Sequence, residues 1–62
     1  MEIAIKYYIA QKNDEIMSKT GINAPQDLEE AAIEAIETYG EYSYDEIYNA
    51  IDAAANELIN GD

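Results

Sequence analysis

Carboxylates are the only side chains in this sequence that occur in numbers and at spacings suited to chemistry. The 62 residues include 14 Asp and Glu but no His and no Cys. A general base that works near neutral pH is usually His, and a covalent nucleophile needs an activating partner. Paired carboxylates could serve as acid and base in glycosidase-like chemistry, but so short a chain has little room for the cleft this requires. We therefore expect a protein that is not an enzyme.

Metal binding is the second chemistry that closely spaced acids could support. Carboxylates one helical turn apart, such as Glu30 and Glu34, can collect Ca²⁺ or Mg²⁺. The sequence contains no twelve-residue calcium loop, however, and the His that accompanies such a Glu in di-metal bundles is missing. The sequence therefore predicts neither a resident metal nor a cofactor.

The charges are distributed unevenly along the chain. The three lysines lie within the first nineteen residues, where three acids balance them, so that the net charge of −11 falls entirely on residues 20–62. Such a surface repels nucleic acid and anionic membranes and attracts basic partners. The cations are Lys6, Lys12 and Lys19, and the acids that balance them are Glu2, Asp14 and Glu15.

Glycines divide the chain into three segments, and the third has the strongest helical signals. Ser43 and Glu46 have the spacing of a capping box, and Tyr42 and Ile47 that of a hydrophobic staple. These signals predict a helix over 44–60. Its apolar stripe is expected to contain Ile47, Ile51, Ala54 and Leu58.

The second segment predicts a helix that begins near Pro25, with Asn23 as its cap. Its two sides differ sharply in character. The apolar side contains Leu28, Ala32, Ala35, Ile36 and Tyr39. The acidic side contains Asp27, Glu30, Glu34, Glu37 and Glu41.

The first segment fits two kinds of secondary structure. Alternation of apolar residues over 3–9 favours a strand, whereas Ile5, Ile9 and Ile16 fit a helical stripe. No second strand is available to pair with the first, so we expect a helix over 2–19 with a potential break near Asn13. The predicted fold is a single domain (1–62), an all-α three-helix bundle with alanines between the second and third helices. The alternative is an N-terminal β-strand with two or three helices, in which the strand pairs across a dimer.

The acidic side of the second helix is the strongest candidate for a binding surface. Like charges one turn apart destabilise a helix by roughly 0.2–0.5 kcal/mol per pair, and no lysine lies nearby to offset them. Tyrosines are common in binding hot spots, and of those near the second turn we expect Tyr44 and Tyr48 to be exposed and Tyr39 and Tyr42 to be core or staple residues. The predicted partner-binding residues are Asp27, Glu30, Glu34, Glu37, Glu41, Tyr44, Asp45, Tyr48 and Asp52.

Small size, an acidic ridge and neighbouring tyrosines resemble phage-encoded nucleic-acid mimics, including several anti-CRISPR proteins. The resemblance implies an inhibitor that occupies the nucleic-acid site of a basic host protein, such as a CRISPR effector complex, and acts in the host cytoplasm without contacting nucleic acid or membrane. No signal peptide is recognisable in the sequence. The alternative is a non-catalytic helical interaction module or a homo-oligomer subunit, in which the acids only solubilise the domain.

Overall fold

Three helices make up almost the whole chain in the computed structural model, which describes residues 1–61. They are α1 (Ile3–Thr20), α2 (Pro25–Tyr39) and α3 (Tyr44–Asn60). The predicted all-α three-helix bundle is confirmed. The strand alternative is wrong for the described residues, because residues 3–9 form the first turns of α1. Helix α1 also continues through Asn13 without a break.

The core is a single cluster to which all three helices contribute. Helices α2 and α3 form the most extensive of the three contacts, as expected from the alanines between them, and α1 and α2 the least extensive. The looser contact leaves a groove between α1 and α2. The buried apolar residues are Ile5, Ile9, Ile16, Leu28, Ala32, Ala35, Ile47, Ile51 and Ala55.

A buried amide continues the apolar stripe of α1. Asn13 is one of the buried residues of α1, between Ile9 and Ile16. Its side chain donates a hydrogen bond to Asn23 Oδ1 at 2.9 Å and accepts one from the backbone N–H of Ala24 at 2.9 Å. The predicted role of Asn23 as the cap of α2 is wrong, since Ala24 holds that position and no side chain of the described residues 1–61 caps the helix. The Asn23 side chain instead satisfies the buried amide.

The turn between α2 and α3 differs from the predicted capping box. Ser43 holds the predicted N-cap position of α3, but its hydroxyl donates to the carbonyl oxygen of Tyr39 at 2.7 Å and so satisfies the end of α2 instead of capping α3. Tyr42 is 78% exposed and therefore closes no staple over Ile47. Gly40 turns the chain with φ 106° and ψ 155°, a region open essentially to Gly alone.

Candidate functional site

Four exposed carboxylates lie along the contact between α2 and α3. Asp27, Glu30 and Glu34 project from α2, and Glu57 projects from α3. They border a shallow depression whose remaining lining is Ala31, Ala54 and Leu58. We call these four carboxylates the α2–α3 acidic face. Two rigid helices hold them, because α2 and α3 share the most extensive contact in the bundle.

No cation among residues 1–61 forms an ion pair with the α2–α3 acidic face. The ion pairs found among residues 1–61 join Lys12 to Glu15 at 3.8 Å, Lys12 to Asp52 at 3.3 Å and Lys19 to Glu15 at 3.4 Å. Both of these lysines are on α1, and their partners are on α1 or on the α1 side of α3. The negative potential of the acidic face is therefore available to an external cation.

Two members of the predicted acidic ridge lie elsewhere. Glu37 and Glu41 line the groove between α1 and α2, together with Glu29. Glu41 does not belong to α2, because that helix ends at Tyr39 and Glu41 is in the following turn. The structure thus divides the predicted ridge: Asp27, Glu30 and Glu34 remain together, and the other two residues face a different neighbour.

The predicted exposure of the tyrosines is wrong and nearly reversed. Tyr44 and Tyr48 are half-buried against the core, whereas Tyr39 is 58% and Tyr42 is 78% exposed. Residues 44 and 48 are one turn apart and share the side of α3 that faces α1, where the ring centroids of Tyr48 and Tyr8 lie 4.7 Å apart. Tyr39 is the last residue of α2, beyond the buried part of that helix.

Asp52 belongs to a polar contact between α1 and α3. Its Oδ1 accepts a hydrogen bond from the Tyr8 hydroxyl at 2.6 Å and lies 3.3 Å from Lys12 Nζ. The bond to Asp52, together with partial burial, raises the pKa of Tyr8. Burial works to lower the pKa of Lys12, but the bond and the negative charge of Asp52 outweigh it and raise that pKa. Asp52 is therefore already paired within the bundle. Asp45, the other aspartate of α3 that was predicted to bind a partner, is exposed.

Tyr44 ties the start of α3 to the N-terminus of the chain. Its hydroxyl donates a hydrogen bond to the Glu2 carboxylate. That bond, together with some burial and the charge of Glu2, raises the pKa of Tyr44 to about 12. Tyr44, Tyr48 and Asp52 are thus gathered on the α1 side of α3, away from the α2–α3 acidic face.

Sequence reasoning missed Glu57, which completes the α2–α3 acidic face from the second helix. A signal for it was present. Ala50, Ala53 and Glu57 are spaced i, i+3 and i+7 on α3, so a helix that packs its alanines against α2 must direct Glu57 the same way. Glu29 was missed because its neighbours across the groove come from the N-terminus of the chain, and sequence spacing within α2 does not show them.

The carboxylates do not converge on one point. Among residues 1–61, no three acidic side chains are placed so that they could hold a metal ion. No helix in the same part of the chain has the length and apolar character needed to cross a membrane. The acidic face is a spread array of charge, which suits contact with another extended and oppositely charged surface.

Comparison with known proteins gives no relative from which a function could be transferred. No known protein family, no curated protein and no solved structure matches the chain. The function is therefore argued from the surface itself.

Proposed function

We propose that this protein is a small acidic inhibitor that binds a basic nucleic-acid-handling protein, for example a CRISPR effector complex, and blocks its nucleic-acid site by charge mimicry. The observation that carries the proposal is the α2–α3 acidic face, four exposed carboxylates that no cation of the described residues pairs. The inhibition needs no catalysis. It would take place in the host cytoplasm.

The spacing of the carboxylates supports mimicry of a nucleic-acid strand. Glu30 and Glu34 are one turn apart on a helix whose pitch is roughly 5.4 Å. Phosphates along a strand are also spaced by a few ångströms, and Lys and Arg side chains bind both groups through charge-assisted hydrogen bonds. A lysine- or arginine-lined groove can therefore contact several of these carboxylates at once.

The rigidity of the face favours tight binding. Its carboxylates project from two helices that pack against each other over the core, so docking orders little backbone. The net charge of −11 also steers the protein toward a cationic groove and accelerates association at low salt. The same steering makes binding sensitive to ionic strength.

The experiment compares capture of partners by the wild type and by a charge-reversed variant. Both are immobilised and exposed to a nuclease-treated host lysate, and the retained proteins are identified by mass spectrometry. The variant Glu30→Lys/Glu34→Lys should lose the partner, with affinity weakened by about tenfold or more. The matched control Asp14→Lys/Glu46→Lys makes the same change in net charge at exposed positions away from the face. Equal loss in both variants would contradict a localised site.

Exposed residues on the outer side of α1 favour a second candidate function. Ile3 is 77% and Tyr7 69% exposed, and they lie one turn apart. Such a pair suits a helical interaction module or a homo-oligomer, in which the acids are only solvating cover. Sedimentation of the wild type and of Ile3→Ser over a range of concentrations tests it. A dimer that dissociates in the variant would favour this candidate over the first.

A further inference from the structure

The groove between α1 and α2, which we call the α1–α2 groove, lies away from the α2–α3 acidic face. It encloses ≈ 560 Å³ between the N-terminal turns of α1, one side of α2 and the turn that follows it. Its apolar lining includes the buried Ile5 and the half-buried Ile36. Ile33 is 42% exposed, and Tyr42 is largely exposed. The groove therefore offers an apolar strip that the bundle itself leaves uncovered.

Carboxylates flank this strip. Glu29, Glu37 and Glu41 line the groove and are exposed, and Glu2 contributes a fourth carboxylate that the Tyr44 hydroxyl already contacts. Among residues 1–61, Lys6 also lines the groove, and so does Met1, which carries the N-terminal ammonium, so that four carboxylates face two cations there. The rim is therefore negative, and an occupant that places cations beside an apolar stripe would satisfy both parts of the groove.

We propose that the α1–α2 groove binds an amphipathic basic α-helix of a partner protein. Helices of this kind insert apolar side chains at i, i+3 or i+4 and i+7 into a groove, and their Lys and Arg side chains reach the acidic rim. The α1–α2 contact is the least extensive in the bundle, so an added helix could lie along it as a fourth helix. The inference uses other residues than the proposed function and stands independently of it.

A second copy of this chain is a poor occupant of the groove. Helices α2 and α3 carry no cation, and the main apolar stripe of α1 is already buried in the core, which leaves the exposed pair Ile3 and Tyr7 on its outer side. Two copies would also bring a net charge of −11 each to the contact. A separate basic helix faces neither obstacle.

The test uses a synthetic peptide of about 18 residues with Leu at i, i+4 and i+7, Lys on the other sides and a single Trp among the leucines. The protein contains no Trp, so the peptide's fluorescence reports binding directly. The wild type should bind with a blue shift of the Trp emission. Ile33→Ser should weaken binding by roughly fivefold, because the half-exposed Ile33 side chain becomes fully covered on docking.

Matched controls separate the groove from the rest of the surface. Tyr42→Ser should weaken binding as Ile33→Ser does, because Tyr42 also lines the groove. Ile3→Ser and Tyr7→Ser remove the same two side-chain types from the outer side of α1 and should leave peptide affinity unchanged. Ile33, at 42%, is the least exposed of the four side chains. Because none of them is buried in the core, the bundle should keep its fold in each variant. Circular dichroism confirms this for each variant.

Three results would overturn the inference. The first is the absence of binding to the wild type. The second is a contact that rests on charge alone, shown either by equal binding of a peptide in which Ser replaces every Leu or by an affinity that Ile33→Ser leaves unchanged. The third is a dimer in sedimentation that Ile33→Ser disrupts, which would assign the groove to a second copy. Peptide binding that survives Glu30→Lys/Glu34→Lys would support the groove whether or not the acidic face proves to be an inhibitor's site.

Discussion

The Tyr8 hydroxyl donates a hydrogen bond to Asp52 Oδ1 at 2.6 Å and so joins α1 to α3 across 44 residues of sequence. Lys12 Nζ lies 3.3 Å from the same oxygen and 5.6 Å from the centre of the Tyr8 ring. The cluster uses one of the few cations of the chain to balance a carboxylate of α3. The carboxylates of α2 have no ion-pair partner in the part of the chain that the structure describes, and this unpaired negative charge is the basis of the proposed function.

Loss of the Tyr8 hydroxyl should destabilise the bundle modestly. In Tyr8→Phe the ring can still pack on Tyr48, and Asp52 keeps Lys12, so only one hydrogen bond is removed. We expect the free energy of unfolding to fall by about 1 kcal/mol in urea denaturation. The control is Tyr7→Phe, because the exposed hydroxyl of Tyr7 makes no hydrogen bond within residues 1–61. Its effect on the free energy of unfolding should stay within about 0.5 kcal/mol. Equal effects of the two substitutions would contradict the assignment.

Stability should decrease in alkali through the two bonded tyrosines. The pKa of Tyr8 is raised by its bond to Asp52, and that of Tyr44 is raised to about 12 by its bond to Glu2. Each folded-state pKa lies above the unfolded value, so in alkali the native state holds more protons than the unfolded chain and stability falls as pH rises. The contribution is complete below pH 10, near the ordinary pKa of tyrosine, and is lost as pH passes through the raised values.

Urea midpoints at about pH 8 and about pH 11 measure this loss. Tyr8→Phe/Tyr44→Phe should lose less stability between the two values than the wild type, because both raised groups are gone. Tyr7→Phe should behave like the wild type. A double variant with the same alkaline loss as the wild type would show that these bonds do not couple to folding.

Asn13 should be the most sensitive polar residue of α1. Its side chain bonds both Asn23 and the backbone N–H of Ala24, and it is only 9% exposed. Asn13→Ala leaves the backbone N–H of the half-buried Ala24 without its acceptor, removes the bond to Asn23, and should cost about 2 kcal/mol in the free energy of unfolding. Gln11→Ala, at an exposed position of the same helix, should cost little. A loss of less than about 0.5 kcal/mol in Asn13→Ala would show that water replaces both bonds.

Charge reversal on the α2–α3 acidic face should improve folding while it impairs binding. Glu30 and Glu34 repel each other, and Glu34→Lys converts them into an attractive pair with the Glu on the N-terminal side. We expect the free energy of unfolding to rise by about 0.5–1 kcal/mol. In Glu30→Lys/Glu34→Lys the repulsion returns between two cations, so stability should fall back toward the wild type while binding weakens further. If the acidic residues only keep the protein soluble, Glu34→Lys should stabilise the fold without weakening binding to the partner.

Most of the fold was predictable because its determinants are local. Pro25 marks the first residue of α2, and the helix predicted over 44–60 has the same bounds as α3. Helical spacing identifies Ile47 and Ile51 correctly as core residues of α3, but it selects Ala54, which is half-buried, and misses the buried Ala55. Asn13 escaped prediction as a core residue because its burial depends on Asn23 and Ala24, which only the folded chain brings to it.

The site was less predictable because it depends on how the helices rotate against one another. Asp27, Glu30 and Glu34 share one side of α2, which periodicity shows. Glu57 lies beside them because of the way α3 packs against α2, which the sequence of α2 does not show. Glu41 lies apart from them because α2 ends at Tyr39. The exposure of Tyr44 and Tyr48 was predicted wrongly for a similar reason. Both side chains face α1, and no pattern within α3 identifies that side.

Competition between this protein and nucleic acid for the captured partner tests the central claim most directly. A fluorescent oligonucleotide is bound to the partner, and its anisotropy is followed as the wild type, Glu30→Lys/Glu34→Lys or the Asp14→Lys/Glu46→Lys control is added. The account predicts that the wild type and the control displace the oligonucleotide, less effectively as salt rises from about 50 to about 300 mM, and that the Glu30/Glu34 variant does not. Binding of the wild type to the partner with the oligonucleotide still in place would contradict it.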